Sequence, residues 1–174
     1  MIELFEALRD FLETGGPVLK AIAWLIFAMW LLILERVFYV FTAHKALVKE
    51  LIQTWDARAD KSSWNAEQIR QAMVSRASLK LKFSIPIIQA IVALCPLLGL
   101  LGTVTGMIQV FDVMAISGGG NARSMAAGVS QATIPTMAGM VGALSGVFAS
   151  TWLTRTAKTE RTHIEDALQM QRPV

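Results

Sequence analysis

Four residues combine small polar side chains with apolar surroundings: Thr103, Gln131, Thr133 and Thr136. None of them ionises near neutral pH, because a threonine hydroxyl is too weak an acid and a Gln amide does not titrate. Their chemistry is hydrogen bonding. Two prolines add acceptors beside them. Pro96 removes the N–H that would meet the carbonyl of Val92, and Pro135 does the same to the carbonyl of Gln131. A freed carbonyl at membrane depth must be buried in protein or face water. The stretches 85–111 and 128–153, which carry all four residues, contain no Asp, Glu, Lys, Arg or His. If the chain works with protons, a partner must bring the titrating group, with a driving energy of about 2.3 kcal/mol per charge per 100 mV.

Thr103 lies eight residues from one end of its stretch and Thr136 eight residues from the adjoining end of the next. At 1.5 Å per residue both lie about 12 Å deep. Matched hydroxyls of this kind form a polar ring if several copies assemble, and Thr133 lies on the same side as Thr136. The competing expectation is that each hydroxyl bonds a carbonyl of its own preceding turn and does nothing more. Around them run small residues. Gly99, Gly102 and Gly106 share a helix face with Thr103, while Gly142, Gly146 and Ser150 follow four-residue steps beside Gly139 and Ala143. Such spacing lets helix backbones approach in lipid, where dispersion replaces the hydrophobic effect.

Nothing resembles a catalytic centre. There is no Walker loop and no nucleophile paired with a base. One Cys and two separated His, His44 and His163, cannot assemble a metal cluster, and no cofactor is implied. The triplet Gly118-Gly119-Gly120 reads as a flexible turn.

The elements that position these residues are three membrane spans. Hydrophobic residues make up 54% of the 174 and charged residues 17%, with a mean hydropathy of +0.50. Soluble domains carry nearer a quarter charged residues. A bilayer core needs about 20 apolar helical residues, and the chain offers 17–41, 85–111 and 128–153. Two uncharged stretches of this length argue against a soluble buried hairpin. The acidic N-terminus (Glu3, Glu6, Asp10, Glu13) and the Glu35-Arg36 pair after the first apolar run read as a retained anchor instead of a cleaved leader. Nine Lys/Arg fall in 35–84 and four after Leu153, against one, Arg123, in 112–127. Cytoplasmic segments collect Lys/Arg, so the loop 42–84 and tail 154–174 are expected in the cytoplasm, and the N-terminus and the connection 112–127 outside. The basic balance therefore reflects topology, not nucleic-acid binding. Val48, Leu51, Ile52 and Trp55 form a stripe continuing the first helix. Asn65 with Gln68 suggests the cap of a second helix carrying Ile69, Met73 and Ala77. The two are expected either to pack on each other as a hairpin or to meet another subunit or the membrane surface. Ile2, Phe5, Leu8 and Leu12 give segment 1–16 an amphipathic face for the outer interface. The fold class expected is an all-α membrane protein with three transmembrane helices and a cytoplasmic helical extension.

The run Pro96-Leu97-Leu98-Gly99-Leu100-Leu101-Gly102-Thr103-Val104-Thr105-Gly106 resembles the signature of the ExbB/TolQ/MotA proton-channel family, in its ExbB branch most of all. Gly128-Val129-Ser130-Gln131-Ala132-Thr133 through Thr136 is similar to the family's second motif. The resemblance covers about 81–155. It implies a pentameric ring in a Gram-negative inner membrane, with the second and third spans around a central pore. A single-span ExbD-like partner would supply a transmembrane aspartate, and a TonB-like protein would be the recipient of the energy. It also maps the family's pore threonines onto Thr103 and Thr136, and its third-span glutamate onto Gln131, where this sequence departs. Two alternatives accompany it: a TolQ-like role in envelope constriction, and a structural scaffold in which glycines and threonines only pack.

Overall fold

The computed structural model describes residues 3, 6, 9, 11, 15–58, 60, 61, 63–117 and 122–168. Among them the chain is helical, with no strand. Five helices run in order: α1 (Gly16–Phe41), α2 (Ala43–Asp56), α3 (Trp64–Lys82), α4 (Ile85–Ser117) and α5 (Ala122–Ala167). Three helical stretches are long and apolar enough to cross a membrane: Gly16–Asp56, Trp64–Ile116 and Gly128–Ala167. The expected amphipathic positions Ile2, Phe5, Leu8 and Leu12, and the triplet Gly118–Gly120, lie outside the described residues.

Local chemistry explains the boundaries. Gly16, at φ +68°, opens α1 in a backbone conformation that a side chain would strain. Pro17 follows in the first turn, where its missing N–H costs nothing. Thr42 separates α1 from α2 by a slight distortion only, and its hydroxyl donates to the carbonyl of Phe38 at 2.6 Å. The start of α3 differs from the expectation built on Asn65 and Gln68. Ser63 is the N-cap, its hydroxyl accepting from the N–H of Ala66 at 3.3 Å. The Ser63 N–H in turn donates to Asp60 Oδ1 at 3.1 Å. An extended backbone at Ser63 allows this, and serine caps as well as asparagine does.

The chain forms two compact units. The first comprises Met1–Trp30 and Gln89–Val147, the second Leu31–Ile88 and Phe148–Val174. In the first, the described parts of α1, α4 and α5 meet along small residues. Their outer faces leave Trp24, Leu97, Leu100, Val104, Val141 and Leu144 exposed. An apolar surface of this extent on a single chain requires lipid or further protein to cover it.

The second unit has its own core of Trp55, Ala66, Val74, Ala77, Ile164 and Leu168, with Val48, Leu51, Ile52 and Met73 packed against it. The α2 stripe therefore meets α3, as the hairpin expectation required. Ile69 is instead more than a third exposed. The last turns of α5 complete this core, so the segment after Leu153 is a structural helix end and not merely a charged tail. Arg70 of α3 fastens it by donating through Nε to the carbonyl of Leu168 and through Nη2 to that of Glu165. Carbonyls in the last turn of a helix lack an acceptor role within it and call for a donor from outside. Arg36, His44, Ser78, Ser84 and Ser150 are the buried polar residues.

Candidate functional site

The seam between α4 and α5 is built on backbone contact. A Cβ on Gly99 would lie 2.9 Å from the Cα of Thr136, and one on Gly139 would lie 2.5 Å from the carbonyl oxygen of Cys95. Real Cβ atoms do not approach that closely, so both positions need glycine for space. The ring of Pro135, fully buried, fills the hollow at Gly102. Ala132 fills that at Gly106. Gly142 and Gly146 serve a different contact. They receive the side chains of Ile26 and Met29 from α1, with Val92 of α4 also at Gly146. One small-residue surface on α5 thus accommodates two neighbours.

The four candidate polar residues are distributed unequally around this seam. Thr136 donates its hydroxyl to the carbonyl of Gly99 across the seam at 2.8 Å. Thr103, one turn along α4 from Gly99, donates within its own helix to the carbonyl of Leu100 at 2.7 Å. Thr133 likewise donates to Ser130 at 2.8 Å. Each hydroxyl spends its proton on a carbonyl and keeps its lone pairs as acceptors. Thr103 and Thr136 are partly buried, whereas Thr133 and Gln131 are exposed. At 3.6 residues per turn, Thr133 stands about 60° around α5 from Thr136, and Gln131 about 140°. Thr133 and Thr136 therefore share one side of α5, from which Gln131 is turned away, while Thr103 lies on the facing helix one turn from the carbonyl that Thr136 bonds. Gln131 makes no side-chain hydrogen bond among the described residues.

Chemically this is a passive surface. It offers hydroxyl oxygens, an amide and no titratable side chain, and can solvate a proton carrier without being one. No group of His, Cys, Asp or Glu among the described residues could hold a metal ion.

A second polar feature escaped the sequence reading. His44 of α2 is almost fully buried, and its Nε2 lies 3.3 Å from Glu160 Oε2 of α5. Neither ring nitrogen makes a well-aligned hydrogen bond, so the two side chains are close without a directed bond between them. Burial lowers the His44 pKa below 6.5, and the Glu160 carboxylate opposes that only in part. The periodicity carried the signal: Met29, Ile33, Arg36, Val40 and His44 are all buried at three- and four-residue steps along α1 and α2.

Comparison with known proteins agrees with this geometry. A protein from Synechocystis sp. named putative biopolymer transport protein ExbB-like 1 is 49% identical over 61 residues, covering 33% of this chain and 24% of that protein. Another from the same organism, putative biopolymer transport protein ExbB-like 3, is 36% identical over 76 residues, covering 40% of this chain and 36% of that protein. The matches thus span about a quarter and about a third of those relatives' lengths. The description of the MotA/TolQ/ExbB proton channel family matches residues 40–166. With three helices able to cross a bilayer and most of its length matched, the chain is a multi-pass membrane protein of the MotA/TolQ/ExbB proton channel family.

Proposed function

We propose that this chain is the channel-forming energiser subunit of an ExbB–ExbD–TonB-type complex in a bacterial inner membrane, coupling proton motive force to uptake across the outer membrane. Five copies form the ring. Thr103, Gln131, Thr133 and Thr136 line the pore, and a single-span partner places its aspartate against those polar groups. The N-terminus and the connection 112–127 face the periplasm, and the loop 42–84 and the tail 154–174 face the cytoplasm.

The observation that carries this reading is the hydroxyl-rich seam in spans without Asp, Glu, Lys, Arg or His. Exposed polar groups at membrane depth need water or a polar partner, and the absence of a local acid assigns proton carriage to that partner. The ExbB-like names of the two relatives support the general class, within which a TolQ-like role in envelope constriction is the alternative reading.

Native mass measurement on protein extracted with and without its single-span partner tests the assembly. The expected result is a five-subunit ring that gains about two copies of the partner. A monomer or dimer indifferent to the partner would leave a packing scaffold as the better account. The chain reconstituted alone should conduct few protons, and robust flux without a partner would contradict the assignment of the acid.

A further inference from the structure

The contacts within the second unit fix its helices against one another in height. His44 meets Glu160, and further along α2 Trp55 packs with Ile164 and Leu168, so α2 and α5 run parallel. Arg70 reaches the carbonyls of Glu165 and Leu168. Because α3 runs on toward the second span and α5 away from the third, these two are antiparallel. Arg76 comes six residues after Arg70, about 9 Å along the helix, and therefore stands at the level of Glu160. By the same count Ala72 stands level with Val48, and Ile69 with Ile52.

The members of each pair lie on different faces of the unit. Ile69, Ala72 and Arg76 follow three- and four-residue steps and are all exposed. They form a ridge on the side of α3 turned away from Val74, Ala77 and Leu81, which are buried. Arg76 makes no hydrogen bond or ion pair among the described residues. Val48 and Ile52 instead line a groove of about 400 Å³ where α2 meets Glu160 of α5. The Glu160 side chain is 34% exposed, and among the described residues its ion-pair contact is the buried imidazole of His44 alone. Lys45 and Lys49 also border the groove but are exposed, so their ammonium heads extend from it into solvent.

Membrane insertion gives every copy of this chain the same depth and the same polarity. Side by side, two copies bring residues of equal height together. The ridge of one then matches the groove of the next position by position: Ile69 on Ile52, Ala72 on Val48, and the unpaired Arg76 on the exposed Glu160 carboxylate. Since ridge and groove are different surfaces, the contact is head-to-tail, the type that closes into rings.

We propose that the Ile69–Ala72–Arg76 ridge of one copy docks in the α2–α5 groove of a second copy, with Arg76 paired to Glu160. The inference rests on the ring proposed above and adds the surfaces that join its members outside the spans.

Disulfide trapping in membranes tests it. Chains carrying Val48→Cys are coexpressed with differently tagged chains carrying Ala72→Cys, and the isolated membranes are oxidised. A disulfide joining the two tags should form. It should not form when Gln71→Cys, at nearly the same height on another face of α3, replaces Ala72→Cys. Like charges set against each other at an interface are strongly unfavourable, so Arg76→Glu should lower the yield about tenfold, and adding Glu160→Lys to the same chains should restore most of it. Native mass of the same preparations reports the assembly separately. A ring of wild-type mass that gives no disulfide between positions 48 and 72, or gives one equally with Gln71→Cys, would overturn this packing and leave the ring standing. A disulfide yield indifferent to Arg76→Glu would overturn the pairing with Glu160. A monomer in every preparation, wild type included, would overturn the ring and this contact together.

Discussion

Thr136 donates its hydroxyl proton to the carbonyl oxygen of Gly99, 2.8 Å away on the facing helix. That carbonyl also lies four residues before the backbone N–H of Thr103, so one oxygen joins the two threonines of the seam. Thr136→Val removes the cross-helix bond while keeping the shape. Interhelical hydrogen bonds in membrane proteins average about 0.6 kcal/mol, so thermal stability should fall only slightly. Proton-dependent uptake should fall severely, and Thr136→Ser should retain most of it. An unchanged uptake phenotype in the valine variant, with assembly intact, would remove Thr136 from the pathway.

The glycines divide into two kinds by what they face. At Gly139 the obstacle to a methyl group is the Cys95 carbonyl oxygen, which belongs to a helix backbone. At Gly142 it is the flexible end of Ile26. Gly139→Ala should therefore cost about 1–3 kcal/mol, as overpacking does. Gly142→Ala should be milder. Melting of the two variants in one detergent decides it, and equal losses would show that the seam yields as easily as a side chain.

His44 gives the second unit a pH dependence. Its pKa in the folded protein is lowered by burial despite Glu160, so the unfolded chain binds the extra proton more readily than the folded one. Stability is then highest when the imidazole is neutral and falls as pH drops below the ordinary value of 6.5. Glu160 and the groove lysines Lys45 and Lys49 act on the same ring in opposite senses. Hydrogen exchange in α2 should speed up between pH 7.5 and 5.5 in the wild type. In His44→Gln that acceleration, corrected for intrinsic exchange, should largely disappear.

Arg70 holds two carbonyls at the end of α5. Hydrogen bonds from charged groups contribute about 1.5–3 kcal/mol, so Arg70→Met should destabilise the second unit by about 2 kcal/mol. Exchange should increase in the last turn of α5 before anywhere else. Uniform loosening of the whole unit would mean that Arg70 acts through packing along α3 instead.

Much of this architecture is legible in the sequence because its signals are local. Uncharged runs mark the spans, Gly99 and Gly102 mark a close approach, and Val48 to Trp55 mark one face of α2. What the sequence hides depends on distant pairing. Nothing near Thr136 announces that its acceptor is Gly99 rather than a carbonyl of its own helix. Arg36 and Arg70 read as two more basic residues on the cytoplasmic side, because charge counting ignores which way a side chain turns. Gln131 sits close to Thr136 along the chain, yet helical geometry turns it about 140° away around α5. The boundary of α3 was missed by two residues, as Ser63 and Asn65 are equally good caps and only the backbone decides between them.

The capping of α5 by Arg70 also has a temporal side. The arginine and the carbonyls it holds are separated by 95 and 98 residues. Trp55, Ala66, Val74 and Ala77 likewise wait for Ile164 and Leu168. During synthesis the α2–α3 hairpin is made long before the residues that close it, and its apolar face stays uncovered until Ile164 and Leu168 have been made. A chain truncated before Ile164 would keep every membrane span yet display that face permanently, which is the kind of surface that proteases and chaperones at the membrane remove.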